Sequence, residues 1–280
     1  MKCNKILTAA ALALCSQVTN ASLLYDQNVT SEAIFGSGNA NGSFTVDRNN
    51  GIELGLRGKL RFDEDNRPRN QFNSNGDGTY SFDAGLPPSG FSWSPGSIST
   101  PIWSFEWSIN SDFTGTGQTA LASYRYILGM DFDPSIGTNF FALDPINVSC
   151  SDNAIGTNAT GNGQGTSVSI GDCRSSNTSV SDAATSDYQD LINNNNLAQN
   201  SWNMEFFDDA LNGLAFDARE DGQYDFYLAA LDIDGTELAR TDISIIVGNG
   251  ATEVSEPAAL ALFGLGLGGL AVRRRRKHSN

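Results

Sequence analysis

The sequence predicts a mainly β protein, an immunoglobulin-like or jelly-roll-like β-sandwich with one short helix and one disulfide bond. Three observations support this prediction: short stretches of alternating polarity, turn signals rich in Gly and Asn between them, and a final pair of long strands around a tight turn. Only 18% of the residues are charged, while the chain has 29 glycines. This composition is typical of strands joined by polar turns.

The first clear strand signal lies between Ile52 and Phe62, where apolar side chains recur at alternate positions. Glu53 and Arg57 stand between them, which is the pattern of a strand with one buried face. Further stretches of similar character are bounded by turn signals. They predict strands over Ser43–Val46, Thr79–Asp83, Ile102–Ile109, Tyr124–Met130, Asn139–Leu143 and Trp202–Phe207.

The second half of the chain contains a low-complexity stretch, one helix and the strongest hairpin. We expect Ser151–Thr185, rich in Gly, Asn, Ser and Thr, to form a long surface loop. A helix is predicted over Asp187–Asn194, with Ser186 as its cap. Two long strands, Tyr224–Asp232 and Glu237–Val247, flank an Asp-Gly turn, and this ending resembles that of an immunoglobulin-like sandwich.

Residues 1–21 have the three parts of a secretory signal peptide. Lys2 and Lys5 supply its positive start, Ile6–Leu14 is an apolar run too short to span a bilayer, and Ala21 is a small residue before the expected cut. Signal peptidase is therefore an expected partner. The mature chain would begin at Ser22, with residues 22–250 as the β-sandwich ectodomain.

Residues 251–280 form a tail of three parts. Its motif consists of Val254, Ser255, Glu256 and Pro257, and the 15-residue apolar run 258–272 follows directly. Five consecutive cations then stand near the end of the chain: Arg273, Arg274, Arg275, Arg276 and Lys277. Basic residues that follow an apolar run stay on the cytoplasmic side, so we expect transient membrane insertion with the body facing outward.

This tail resembles the PEP-CTERM sorting signal of Gram-negative bacteria, which has a Pro-Glu-Pro motif, a short apolar helix and an Arg-rich end. Glu256 and Pro257 match the motif, and Ser255 replaces its first Pro. The resemblance implies that an exosortase-type enzyme recognises the motif and cuts near it. It also implies an inner-membrane intermediate, then a cell-surface or extracellular location, and an association with exopolysaccharide and biofilm matrix.

The cysteines agree with export. Cys3 and Cys15 would leave with the signal peptide, although a lipoprotein signal that uses Cys15 remains an alternative. The body keeps Cys150 and Cys173, an even pair that predicts one disulfide bond in an oxidising compartment.

Charge and histidine content exclude several kinds of function. Residues 22–256 carry 10 basic and 32 acidic side chains, an acidic excess that argues against nucleic acid and anionic lipid surfaces. The only histidine of the chain is His278, in the tail. A Ser-His-Asp or Cys-His catalytic centre and a His-ligated zinc are therefore excluded from the body. No phosphate-binding loop, dinucleotide fingerprint or Gly-x-Ser-x-Gly motif is present either.

Glu106 is the best single candidate for chemistry, because a carboxylate beside aromatic rings is typical of sugar sites. Its neighbours are Trp103, Phe105 and Trp107. However, the aromatic residues alternate with polar ones, which is also the pattern of a strand with one aromatic core face. Core packing is the preferred interpretation, and a sugar site remains the alternative.

Calcium is the one cofactor that the sequence suggests. Asn73, Asn75 and Asp77 place oxygen-bearing side chains at alternate positions before a glycine, as at the start of an EF-hand loop. The glutamate expected at the twelfth position is replaced by Ala84. A Gly-rich hairpin explains the segment equally well, and Asp131–Asp133 and Asp232–Asp234 are weaker candidates.

The expected function is that of an exported cell-surface or extracellular-matrix protein, processed through its C-terminal sorting signal and non-enzymatic. Two alternatives remain open. One is a carbohydrate-binding module or glycoside hydrolase that acts on exopolysaccharide, and the other is a calcium-dependent adhesion protein.

Overall fold

The computed structural model describes residues 22–31, 33–34, 39–88, 97–173 and 182–251. The predicted signal peptide 1–21 and the tail from residue 252 onward lie outside the described residues. The described chain is mainly β and forms two sheets that pack face to face, which confirms the predicted β-sandwich.

The described residues form eleven strands. These are β1 (Leu24–Gln27), β2 (Phe44–Asn49), β3 (Ile52–Leu60), β4 (Thr79–Phe82), β5 (Trp103–Asn110), β6 (Arg125–Asp131), β7 (Phe140–Leu143), β8 (Ala154–Gly156), β9 (Leu197–Trp202), β10 (Gly222–Leu231) and β11 (Glu237–Val247). The first sheet has the order β1-β2-β3-β5-β9-β8, and the second has the order β4-β11-β10-β6-β7.

All pairings are antiparallel except that of β4 with β11, which is parallel. The longest ladder joins β10 to β11 through the predicted Asp-Gly turn, from Gly222 opposite Val247 to Leu231 opposite Glu237. Gly235 has a φ of +87° in this turn, a conformation that glycine adopts without steric cost.

The main core lies between the two sheets and is strongly aromatic. On β5, Trp103, Phe105 and Trp107 are fully buried. The ring of Phe105 packs against Phe226 of β10 at a centroid distance of 4.7 Å, and Trp103 contacts Tyr224 at 6.0 Å. The alternation of these residues with polar ones therefore indicates core packing, as the sequence predicted.

A second, smaller core covers the outer face of the first sheet. It is formed by Val29 and Ile34 of the N-terminal segment, meaning the described residues between 22 and 43, together with Phe44 and Val46 of β2. Gly55 lies beneath them, and a Cβ at that position would stand only 2.7 Å from a methyl carbon of Val29. The absence of a side chain at Gly55 therefore lets the N-terminal segment pack closely on the sheet.

Two short helices lie beside the sandwich: α1 (Ile170–Cys173) and α2 (Asp182–Asn194). The predicted disulfide joins Cys150 to Cys173, with the Cα atoms 5.4 Å apart. Tyr188 of α2 is fully buried, and its hydroxyl donates a hydrogen bond to the carbonyl of Ile146 at 2.8 Å. None of the described helices is both long and apolar enough to cross a membrane.

Three local predictions were wrong. The strand predicted over Trp202–Phe207 is instead β9, which ends at Trp202, followed by a 3-10 turn over Met204–Phe206. The helix begins at Asp182, so Ser186 lies inside it and does not cap it. The predicted loop Ser151–Thr185 contains β8, the helix α1 and the buried Val168.

Candidate functional site

Glu106 does not share a face with the aromatic residues that surround it in the sequence. Trp103, Phe105 and Trp107 point into the core between the sheets, whereas Glu106 lies on the outer face of the first sheet and is 1% exposed. Successive residues of a strand point to opposite faces, so neighbours in the sequence are separated by the sheet. The structure therefore does not bring the predicted acid and its aromatic platform together.

On that outer face, Glu106 forms a buried charge cluster with two cations of β3. Its Oε2 atom lies 2.7 Å from Nε and 2.5 Å from Nη2 of Arg57, and its Oε1 atom lies 3.2 Å from Nζ of Lys59. Arg57 and Lys59 are 0% and 4% exposed. Buried ions of this kind require close partners, because desolvation of an unpaired charge is costly.

The cation of Arg57 is held on several sides. Its guanidinium lies between the rings of Phe44 and Phe72, at 4.1 and 3.9 Å from their centroids. It also donates hydrogen bonds to the carbonyls of Ala40 at 2.9 Å and Gly42 at 2.6 Å. Burial lowers the pKa of Arg57, and the adjacent Glu106 opposes that effect.

Asn39 of the N-terminal segment completes the cluster. Its side-chain oxygen accepts a hydrogen bond from Nζ of Lys59, and its amide nitrogen donates to Oε1 of Glu106 at 3.4 Å. Sequence reasoning missed Lys59, Asn39 and Arg57 as a group, because the group forms only when the N-terminal segment folds over the sheet. The one available signal was the alternation in β3, which assigns Arg57 and Lys59 to a single face.

The predicted calcium segment forms a hairpin that uses its polar groups internally. Asn75 donates from its amide nitrogen to the hydroxyl of Thr79 at 2.8 Å, and Asn73 donates to the carbonyl of Ser81 at 2.8 Å. Asp77 accepts from the hydroxyl of Thr79, and this hydrogen bond lowers the pKa of Asp77. No group of three His, Cys, Asp or Glu side chains among the described residues could hold a metal ion. Calcium binding stays a prediction.

Asp77 also borders a cleft on the outer face of the second sheet, which we call the Tyr25–Phe140 cleft. The cavity measures about 270 Å³, and its rim carries the exposed rings of Tyr25 and Phe140 and the carboxylates of Asp77, Asp225 and Asp242. Tyr25 is 39% exposed and Phe140 is 41% exposed, so both rings are open to a ligand.

Packed and hydrogen-bonded side chains support the cleft, and its rim is acidic. Phe140 packs edge-on against Tyr227 at a centroid distance of 5.1 Å. Asp225 accepts a hydrogen bond from the hydroxyl of Ser244 at 2.6 Å, and Asp242 pairs with Arg240 at 2.7 Å. Exposed rings and hydrogen-bond acceptors together suit a hydroxyl-rich ligand, because the rings cover its apolar faces while the carboxylates accept hydrogen bonds from its hydroxyl groups.

Comparison with known proteins identifies a motif in the tail. Residues 253–276 match a family model described as the PEP-CTERM protein-sorting motif. The match spans the predicted motif residues 254–257 and the first four cations of the basic end. No curated protein and no solved structure was found to match the chain. The chain thus carries a PEP-CTERM protein-sorting motif and is an exported protein, sorted by an exosortase-type enzyme and directed through the membrane to the cell surface.

Proposed function

We propose that the protein is a non-enzymatic component of the cell surface or extracellular matrix that associates with exopolysaccharide. The observation that carries this proposal is the sorting motif, which begins at residue 253, only a few residues after β11 ends at Val247. The described sandwich therefore ends shortly before the signal, as expected for a folded body that is delivered outside and then separated from its tail.

Features of the body support a structural role. Its residues include no histidine, and the acid with the strongest sequence signal, Glu106, is buried in an ion pair on the far side of the sheet from the aromatic core. The acidic excess of residues 22–256 keeps such a protein soluble outside the cell. The disulfide bond and the packing of the two sheets both stabilise this body.

The first experiment is the intact mass of the protein recovered from the surface and medium of its native host. We expect a chain that begins at Ser22 and ends near Glu256-Pro257, because both signals would have been removed. A protein that retains the basic end Arg273–Lys277 would indicate a simple membrane anchor. That result would remove the main support for a matrix role.

A pair of variants tests whether the motif itself is the signal. Replacement of Glu256 and Pro257 by Ala is expected to leave the tail attached and the protein in the inner membrane fraction. Thr252→Ala, just before the matched residues, is the control and should be processed like the wild type. Equal processing of both variants would contradict the assignment of the motif.

A second candidate function is carbohydrate binding, and the Tyr25–Phe140 cleft is the observation that favours it. Its two exposed rings stand beside three carboxylates in a cavity of about 270 Å³, a size suited to a single sugar unit. The acidic rim favours neutral or amino sugars over uronic acids, since carboxylates repel like charges.

Affinity electrophoresis of the mature protein through gels that contain the host exopolysaccharide tests this function. Tyr25→Ala and Phe140→Ala are each expected to weaken retardation about tenfold, because each removes one stacking ring. Ile233→Ala is the matched control, since Ile233 is 87% exposed on a turn outside the cleft. Retardation that is unchanged in both ring variants would exclude the cleft as the binding site.

A further inference from the structure

Lys59 occupies an unusual position for a lysine. It is the only lysine between residues 22 and 256, where the other nine basic residues are arginines. It is also 4% exposed, although lysine is almost never fully buried without a specific partner. The single amine side chain of the body is thus placed where it cannot serve solubility.

The side chains around Lys59 place an amide and a carboxylate beside its amine. Its Nζ atom contacts the side-chain amide of Asn39 at Oδ1. The Oε1 atom of Glu106 lies 3.2 Å from Nζ of Lys59 and 3.4 Å from Nδ2 of Asn39. One carboxylate oxygen is therefore within reach of both the amine that could attack the amide carbon and the nitrogen that would leave it.

We propose that Lys59 and Asn39 become joined by an intramolecular isopeptide bond, with Glu106 as the catalytic residue that transfers the proton. This proposal concerns the folded body alone and goes beyond the sorting and matrix roles. It assigns a covalent modification site to the outer face of the first sheet.

The reaction needs no external reagent. The neutral amine of Lys59 attacks Cγ of Asn39, and the new bond between Nζ and Cγ makes that carbon tetrahedral. Glu106 takes a proton from Nζ and delivers it to Nδ2 of Asn39. The bond between Cγ and Nδ2 then breaks and ammonia leaves, which restores Glu106 to its starting charge. Amine plus primary amide has become secondary amide plus ammonia.

The electrostatic surroundings favour this reaction. Burial lowers the pKa of Lys59, and the nearby cations Arg57 and Arg61 lower it further, against the opposing attraction of Glu106. A larger fraction of the amine is therefore neutral and nucleophilic than in water. In its protonated form Lys59 is a second cation beside Glu106, and this proton passes to solvent when the neutral amine forms. After the reaction Glu106 faces Arg57 alone, so the buried pair is balanced in charge.

The bond would fasten the N-terminal segment to the centre of the sandwich. Asn39 belongs to that segment, whereas Lys59 lies on β3, a central strand of the first sheet. The apolar contacts of Val29 and Ile34 and the hydrogen bonds from Thr30 to Glu53 already hold the segment in place. A covalent bond would make this attachment permanent once the body has folded.

Intact mass of the purified mature protein tests the proposal directly. With cysteines reduced, we expect a mass about 17 Da below that of the sequence, equal to the ammonia lost when an amine displaces an amide nitrogen. Lys59→Met, Asn39→Ala and Glu106→Gln should each have the full mass of their sequence. Asn41→Ala should keep the loss, because Asn41 lies in the same segment but bonds to the backbone of Val29.

A second measurement on the wild type is independent of whether the variants fold. After denaturation, an amine-reactive reagent should label only the α-amino group of the mature chain, and proteolysis should yield a branched peptide that contains both Asn39 and Lys59. A wild type with its full sequence mass and a labelled Lys59 would overturn the proposal. Processing of the tail is measured at the other end of the chain, so the two proposals can fail separately.

Discussion

Two ion pairs show how burial changes the contribution of a charged residue to stability. Glu106 and Arg57 are almost completely buried and make their closest contacts with each other. Asp65 and Arg69 form an ion pair at 3.8 Å with side chains that are 60% and 50% exposed. Folding removes the hydration of Glu106 and Arg57, whereas Asp65 and Arg69 remain hydrated. Loss of the carboxylate should therefore reduce stability much more in the first pair than in the second.

This contrast leads to a prediction for Glu106→Ala. The free energy of unfolding should fall by about 3 to 5 kcal/mol, because the guanidinium of Arg57 would stay buried without its carboxylate. Urea denaturation of the mature protein measures the change. The substitution is made in a Lys59→Met background, so that no cross-link between Lys59 and Asn39 contributes to the difference.

Asp65→Ala in the same background is the matched control. We expect it to change the free energy of unfolding by less than about 1 kcal/mol, since exposed ion pairs contribute little. Equal effects of the two substitutions would mean that Arg57 reaches solvent when Glu106 is removed. The charge cluster around Glu106 would then be more accessible to water than its low exposed fractions indicate.

Individual elements differ in how well the sequence predicted them. The strand β11 was predicted with its observed bounds, Glu237–Val247, because its residues alternate between a buried and a less buried face. The strand β9 was predicted only at its last residue, Trp202, since two of its four buried residues, Gln199 and Asn200, are polar. Gln199 donates to the hydroxyl of Ser108 at 2.9 Å, a contact between strands that no local pattern reveals.

The same limit applies to the candidate site. Glu106 stood out in the sequence because of its aromatic neighbours, yet its actual partners come from β3 and from the N-terminal segment. Asn39 and Glu106 are 67 residues apart in the chain. Local periodicity assigns a residue to a face, but only the tertiary fold determines which residues share that face.

The disulfide bond is the element that holds the least regular part of the body. It joins Cys150 to Cys173 across a sequence separation of 23 residues, which includes the short strand β8 and the helix α1. A Cys150→Ala, Cys173→Ala double variant should lose about 3 kcal/mol of stability, because the unfolded chain is no longer constrained by the closed loop.

Urea denaturation with and without reductant measures this contribution. Reductant should lower the midpoint of the wild type towards that of the double variant and should leave the double variant unchanged. A wild type that is insensitive to reductant, although its thiols are shown to be free, would mean that packing of Val168 and Tyr188 already fixes this region.

At the scale of the whole molecule, the acidic surface determines how stability depends on pH. Hydrogen bonds lower the pKa of Asp63, Asp77, Asp217 and Asp234 below the ordinary value of 3.8. A lowered pKa means that the folded state favours the ionised form. These groups therefore contribute stability above pH 3.8, and that contribution is lost as the pH falls through their folded values. Burial raises the pKa of Asp47 and Asp131, so these two groups favour the folded state at low pH. They are fewer than the groups with lowered pKa values.

We therefore expect the stability of the mature protein to fall as the pH is lowered below about 3.8. Asp112 is a useful probe, because the backbone N–H groups of Gly117, Gln118 and Thr116 donate to its carboxylate at 3.0, 2.7 and 3.2 Å. Burial opposes ionisation of this group, but the hydrogen bonds outweigh it and lower the pKa of Asp112. Asp112→Asn should lower stability at neutral pH and should reduce the loss on acidification.

Urea midpoints between pH 7 and pH 2.5 test this expectation, at a constant high ionic strength that screens repulsion among the many carboxylates. Asp65→Asn is the control, because that exposed side chain makes only a distant contact with Arg69, and its pH profile should follow the wild type. A midpoint that is constant down to the lowest pH would show that Asp47 and Asp131 offset the other carboxylates. The carboxylates would then make no net contribution to the dependence of stability on pH.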